Sequence, residues 1–336
     1  MNDKNIEQTG VREIGEGISG TNKPGVIKEV NSIFEQPWWL NIVAPGRWKE
    51  IRLEQDGLFL RWVYCKKGNK VYMPRDTQSL GIYLWQTTDR ENDNLMPNIN
   101  LQKQTDILLK AIEKLPKSNH IDICLSCNNS YVLPFLWKDY IITPRWTYRI
   151  NDLHNIDEIY DRFSNTVKKN IKKSSKKVKI STEYKFEYLK SVLDATYRHQ
   201  NRKNPENYSI LRQLTDSAIE NHAGKMFTAV DDNGNIHACS FILYDENVCY
   251  AWCGGSNPQF RNSGAKSLIW YEAIKFASGV SRVFDFEGSM IESIENFVKQ
   301  FGGIPTVYYN VEKRSLLRHV FLFYKRKIKR LIHYKQ

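Results

Sequence analysis

The chain has 336 residues, 41% hydrophobic and 12% aromatic, enough to bury a sizeable core and long for one domain, so two domains are expected. No run of about eighteen apolar residues occurs, which excludes a membrane-spanning helix. The net charge of +12 is uneven: residues 166–180 carry seven lysines and no acid, and residues 312–336 carry nine Lys or Arg against one Glu. Basicity therefore marks two local surfaces, not a general affinity for polyanions such as DNA.

Residues 1–30 are polar and Gly-containing and lack the apolar core of a signal peptide, so a flexible leader and a cytoplasmic protein are expected. A first domain is expected over 31–150. Pro37 stands where a first helical turn tolerates it, ahead of Trp38 and Trp39, which need a core. Residues 48–53 and 58–65 flank Gln55-Asp56-Gly57 as a hairpin, and Met73-Pro74-Arg75-Asp76-Thr77-Gln78-Ser79-Leu80-Gly81 reads as a turn-rich loop. Residues 89–100 are Asn-rich and read as an exposed connection. Helical spacing follows over 101–115, then strands at 120–125 and 140–150. Cys124 and Cys127 have neither a second CxxC nor a nearby His pair, and a strand places them on opposite faces, so no metal is expected.

A second domain is expected over 151–311. Residues 157–178 read as one amphipathic helix, with Tyr160, Phe163, Val167, Ile171 and Val178 on one face and Lys168, Lys169, Lys172, Lys173, Lys176 and Lys177 on the other. Lysines four apart repel, so an anionic partner relieves a cost there; Lys169 and Lys173 are candidate substrate contacts. Two more helices (188–203 and 207–222), a hairpin (226–230 and 236–243) and a strand at 248–253 lead into Gly254-Gly255, where backbone can approach a ligand. Arg261-Asn262-Ser263-Gly264-Ala265-Lys266 then feeds a buried helix. A helix N-terminus presents free N–H groups and partial positive charge, a seat for phosphate. A strand over 282–286 carries Asp285 and Glu287 on one face, and Ser289 with Glu292 has capping-box spacing for the next helix. A last strand over 304–311 places Tyr308 and Tyr309 on opposite faces, and 312–336 reads as a basic amphipathic helix suited to docking on its own domain or to an anionic membrane surface.

The order strand, Gly-Gly, R-x-x-G-A, helix, strand resembles the acyl-CoA-binding core of the GNAT superfamily, with Arg261, Gly264 and Ala265 keeping the loop and Lys266 standing where the signature has Gly or Ala. Phe284 to Phe297 (F-D-F-E-G-S-M-I-x-S-I-x-x-F) and the closing Phe301-Gly302-Gly303 are similar to the Fem-like and CelD-like branch, as is the P-x-x-T-Q-x-L-G loop. The resemblance implies an α/β fold of two tandem GNAT-like domains, with mixed sheets and flanking helices. It also implies acyl transfer from acyl-CoA, such as acetyl-CoA, to an amino or hydroxyl group of a sugar-nucleotide or lipid-linked cell-envelope precursor. An aminoacyl-tRNA donor and a non-catalytic anion- or membrane-binding module are the alternatives.

Site roles follow. Gly254, Gly255, Arg261, Asn262, Ser263, Gly264, Ala265 and Lys266 would hold the donor, and Thr77, Gln78, Lys169, Lys173 and Ser289 would face the acceptor or its phosphates. Glu287 is the first candidate base, with Asp285 beside it. The family's tyrosine acid has no counterpart over 290–301, so Tyr309 or Tyr271 would substitute. A location at the inner face of the membrane would suit a lipid-linked acceptor.

Overall fold

Asp56 and Gly57 both adopt positive φ, 50° and 75°, the geometry a two-residue hairpin loop needs to match strand twist. They join β2 (Trp48–Gln55) to β3 (Leu58–Lys67), in register from Gln55↔Leu58 to Trp48↔Cys65. The computed structural model describes residues 12–13, 27–86, 99–202, 204, 207–288 and 290–314. Before the hairpin lie β1 (Arg12–Glu13), paired with β2, and α1 (Pro37–Val43), with Pro37 at its first turn as expected. After it come β4 (Lys70–Tyr72), β5 (Ile82–Gln86), α2 (Leu101–Lys114), β6 (His120–Cys124), α3 (Leu133–Trp137) and β7 (Ile141–Ile150).

The second half begins with a correction. The expected single helix over 157–178 is two helices, α4 (Ile156–Asp161) and α5 (Asn165–Ser174). Ser164 takes extended backbone between them, its Oγ accepts from Val167 N at 3.2 Å, and its own N–H donates to Gln300 O. A capping serine thus ends one helix register and starts another. The faces survive the break, because Phe163, Val167, Ile171 and Val178 are all buried. There follow β8 (Lys179–Ser181), α6 (Phe186–His199), α7 (Tyr208–Glu220), β9 (Gly224–Val230), β10 (Ile236–Tyr244), β11 (Val248–Ser256), α8 (Ala265–Ala277), β12 (Val283–Asp285), α9 (Glu292–Val298) and β13 (Ile304–Arg314). Helix α9 is capped by Ile291 without a side-chain bond, and Ser289 of the expected capping box lies outside the described residues. Also outside them are most of the leader, most of the Asn-rich connection, Pro205 and the basic segment past Arg314.

The strands form one mixed sheet in the order β1-β2-β3-β4-β6-β13-β7-β12-β11-β10-β9-β8, with β5 pairing β3. Two exchanges tie the halves together. Strand β13, the last of the described strands, inserts antiparallel between β6 and β7 of the first half. Ile33, Phe34, Trp38 and Trp39, from the start of the first half, pack in one core with α6, α7 and Tyr250 of the second. Separate cores lie beneath α2 and beneath α5 and α8. Among the described residues no helix is long and apolar enough to cross a membrane.

Candidate active site

Strands β11 and β12 run parallel but pair only through Val248↔Val283, Cys249↔Phe284 and Tyr250↔Asp285. Beyond Tyr250, β11 continues to Ser256 along β10, whereas the chain after Asp285 turns to β7, where Phe286 N donates to Tyr148 O at 3.0 Å. The two strands part at Tyr250 and Asp285. Backbone groups beside such a notch have lost their ladder partners and must find others.

Asp285 closes the notch from within. It is fully buried, and its carboxylate accepts from Thr147 Oγ1 at 2.5 Å, Arg149 Nε at 2.7 Å and Glu287 N at 2.7 Å. Burial alone would lower the Arg149 pKa, but the charge and hydrogen bond of Asp285, with Cys127 and Tyr250 adding to them, together raise it. A carboxylate so bonded is a fixed counter-ion, and it holds the backbone N–H of Glu287.

Glu287 has a carboxyl oxygen without such a bond. Its backbone is left-handed, φ 55°, uncommon for a non-glycine residue, and its Oε1 is buried without a partner among the described residues. Burial pushes its pKa well above the ordinary carboxylate range, with the charges of Asp285 and Asp76 adding to the effect. Asp76 comes from the turn-rich loop of the first half, also at positive φ, 61°, and burial raises its pKa too, against the opposing charge of Arg75. Trp252 of β11 donates Nε1–H to Asp76 O at 3.0 Å, and Trp39 of α1 donates to Thr77 Oγ1 at 3.0 Å, the two indoles meeting edge to face at 5.3 Å. The far end of the loop is pinned by Glu35, whose Oε1 accepts from Gly81 N at 2.8 Å. Thr77 is thus engaged in holding the loop, while Gln78 lies half-buried within it.

Tyr308 and Tyr309 lie on opposite faces of β13. Register partners share a sheet face, so Thr147, paired with Thr306, and Arg145, paired with Tyr308, put Tyr308 on the Asp285 side. Tyr309, paired with Pro144, lies on the opposite face. Burial pushes the Tyr308 hydroxyl up to about 12, with Cys124 and Asp285 contributing and Arg145 opposing. Tyr271 is taken up in packing against Tyr160 and Phe163.

At the other end of β11, a 3-10 turn over Pro258–Ser263 leads to Gly264, φ 80°, which caps α8. A Cβ on Gly264 would stand 2.9 Å from Asn170 Cβ, so α5 lies directly against the start of α8. Lys173 Nζ donates to Asn262 O at 2.5 Å, and Ser263 Oγ accepts from Ala265 N at 3.2 Å. Arg261 is exposed, as are Lys169, Lys172, Lys176 and Lys177. The lysine helix and the R-x-x-G-A loop, which look separate in the sequence, therefore form one cationic surface. Lys266 faces the other way. Its Nζ donates to Ser240 Oγ at 2.7 Å and stands 5.1 Å over the Trp270 ring, and burial pulls its pKa down to about 8. Gly254 and Gly255 also serve internal packing: a Cβ on Gly254 would meet Cys239 O at 2.3 Å, and one on Gly255 would meet Thr196 Oγ1 at 2.9 Å.

Asp76, Trp39, Trp252, Arg149, Thr147 and Tyr308 escape a reading of local patterns. Arg149 and Asp285 lie 136 residues apart, so the pair has no local signature. Among the described residues no group of three or more His, Cys, Asp or Glu is placed to hold a metal.

Residues 151–290 match the family model described as an acetyltransferase (GNAT) domain. No curated protein sequence matches the chain. Among solved structures, that of FemX superposes with a TM-score of 0.58 at 14% identity, over 83% of this chain and 92% of FemX. A conserved protein of unknown function from Bacteroides thetaiotaomicron VPI-5482 gives 0.51 at 12% identity, over 83% and 88%. A tandem GNAT protein from the clavulanic acid biosynthesis pathway gives 0.48 at 10% identity, over 86% and 89%. The mixed sheet, the parted strands and the matched domain define an acyltransferase. Residues 151–290 thus carry a GNAT-type acetyltransferase domain, and the chain shares the fold of FemX.

Proposed function

We propose that the protein transfers an acyl group from an acyl-CoA to an amino or hydroxyl group of a sugar or other cell-envelope precursor. The observation that carries this reading is Glu287: a left-handed, half-buried residue whose Oε1 is buried and has no partner among the described residues, where β11 and β12 part. A general base needs an elevated proton affinity and an oxygen free to accept, and Glu287 has both. In this reading Glu287 takes the proton from the attacking acceptor, Asp285 and Arg149 hold it in place, and the Tyr308 hydroxyl is the proton source for the leaving thiolate. Arg261 and the start of α8 would hold the donor's phosphates, with Lys173 fixing the loop through Asn262. The loop bearing Asp76 and Gln78 would form the acceptor side.

A second reading, aminoacyl transfer from tRNA, is favoured by the exposed Lys169, Lys172, Lys176 and Lys177, which extend the cationic surface past Arg261. A lipid-linked acceptor, with peripheral contact at an anionic membrane surface from the cytoplasmic side, is compatible with either donor.

Thermal shift with coenzyme A, acetyl-CoA and bulk tRNA, on wild type and Arg261→Glu, separates the donors. A ligand at 100 times its Kd adds about 2.7 kcal/mol to the folded state. Stabilisation of wild type but not of the variant by acetyl-CoA supports the first reading. Stabilisation by tRNA alone, lost steeply as salt rises, supports the second, and no stabilisation by any of the three overturns both.

A further inference from the structure

The loop between β11 and α8 is held from two sides, and one of them ends in a buried histidine. On one side Lys173 of α5 grips Asn262 O. On the other, Asn257 N donates to His237 O at 2.8 Å, Asn257 Nδ2 to Ile236 O at 3.3 Å, and Asn257 Oδ1 accepts from Gln259 N at 3.1 Å. His237 itself stacks flat on Phe260, ring centroids 4.2 Å apart with planes inclined by 4°. Phe260 is the residue before Arg261, and it departs from helical backbone inside the 3-10 turn, φ −110° and ψ 15°.

The strand is built to aim that ring. The register of β10 on β9 steps from Ile236↔Val230 to Ala238↔Ala229, so His237 is the extra residue of a bulge, and bulges redirect side chains beside functional sites. Its Nε2 lies 3.2 Å from Asp231 Oδ2, while Nδ1 is buried without a partner among the described residues. Asp231 is in turn fixed by the turn it closes: its Oδ1 accepts from Asn233 N and Asn235 N, and its Oδ2 from Asn235 Nδ2. His237 is 6% exposed, and leaving a ring nitrogen unpaired in such a place costs free energy that a plain apolar residue would avoid. The arrangement holds a flat ring at one orientation.

We infer that His237 and Phe260 are positioning residues for the donor site. The Asp231–His237–Phe260 column fixes the loop midpoint, so that Arg261 is presented toward the donor's phosphates before the donor arrives. The inference rests on the donor-site reading above. Pre-ordering a loop improves affinity by removing the cost of ordering it on binding.

Calorimetric titration of coenzyme A into wild type, Arg261→Glu, Phe260→Ala, His237→Ala and His237→Phe tests it, with melting temperatures recorded alongside. Removing one stacked ring should raise the Kd about three- to tenfold in Phe260→Ala and His237→Ala, and the ring of His237→Phe should restore it. Phe260 is only half-buried, so Phe260→Ala should remain folded at the wild-type melting temperature within a few degrees. If Arg261→Glu weakens binding while Phe260→Ala binds as wild type does, the positioning role is wrong and the donor site stands. The role is also wrong if His237→Phe binds no better than His237→Ala. If wild type does not bind coenzyme A, or Arg261→Glu binds it equally well, the donor-site reading fails and the positioning role falls with it.

Discussion

Arg149 of β7 donates Nε–H to Asp285 of β12 at 2.7 Å, with Asp285 wholly buried and Arg149 nearly so. The ion pair lies where β12 leaves β11, and the same carboxylate receives the backbone N–H of Glu287. It therefore sets the position of the candidate base without sharing its chemistry. Breaking a buried pair from one side strands the other charge, so Arg149→Ala should cost about 3–5 kcal/mol. Arg149→Met with Asp285→Asn should recover part of that loss. Chemical denaturation of the two variants checks this, and equal losses in the single and the double variant would refute the coupling.

Replacement of Glu287 by Gln keeps its shape and removes its proton chemistry. Transfer with acetyl-CoA and an amine acceptor should slow about 10²- to 10⁴-fold, with donor affinity unchanged. In wild type the rate should rise with pH through a group titrating well above the ordinary carboxylate range, because burial and the charges of Asp285 and Asp76 raise it. Thiol release measured across pH should show that rise in wild type and lack it in the variant.

Stability should respond to the same carboxyl with the opposite sign. The folded state holds the Glu287 proton more tightly than the unfolded chain, whose value is near 4.5. The contribution is fully present below that value and is lost as pH rises toward the folded pKa. Glu287→Gln should therefore melt higher than wild type at neutral pH and converge with it near pH 4. A variant that melts lower at pH 7 would contradict the burial of an unpaired charge.

Trp252→Phe removes the hydrogen bond to Asp76 O while keeping an aromatic ring beside Trp39. Loss of one such bond costs about 0.5–1.5 kcal/mol. Its effect should appear as a raised KM for the acceptor, because the loop bearing Asp76 is loosened, with coenzyme A binding unaltered. Titration of both substrates separates the two.

Tyr308→Phe and Tyr309→Phe distinguish the faces of β13. Only the first should slow transfer, since Tyr308 shares the face of Asp285 and Tyr309 does not. Steady-state rates of the pair check it; equal effects would remove Tyr308 from the proposed mechanism.

Much of the second half is legible from local pattern. Strand β11, the loop with Arg261, helix α8 and strand β12 appear where residue rhythm puts them, because apolar period and glycine position act over a few residues. The hairpin at Asp56-Gly57 and the buried and lysine faces of α4 and α5 are legible for the same reason. The break at Ser164 was not, since the same serine fits a helix interior until Gln300 O arrives to accept its N–H.

By itself the sequence determined the order of the longer elements, the apolar faces and the local basicity, and it offered Glu287 as a carboxyl at a strand end. Tertiary structure alone decided that β13 slots between β6 and β7, that α5 and the Arg261 loop form one surface, and that Asp285 belongs to Arg149. It also turned Lys266 inward to Ser240 and brought Asp76 to Glu287 from the other half of the chain. Periodicity and capping are short-range and can be read along one strand or helix. Ion pairs, register partners and proton affinities depend on groups more than a hundred residues apart, whose meeting is set only when the sheet closes.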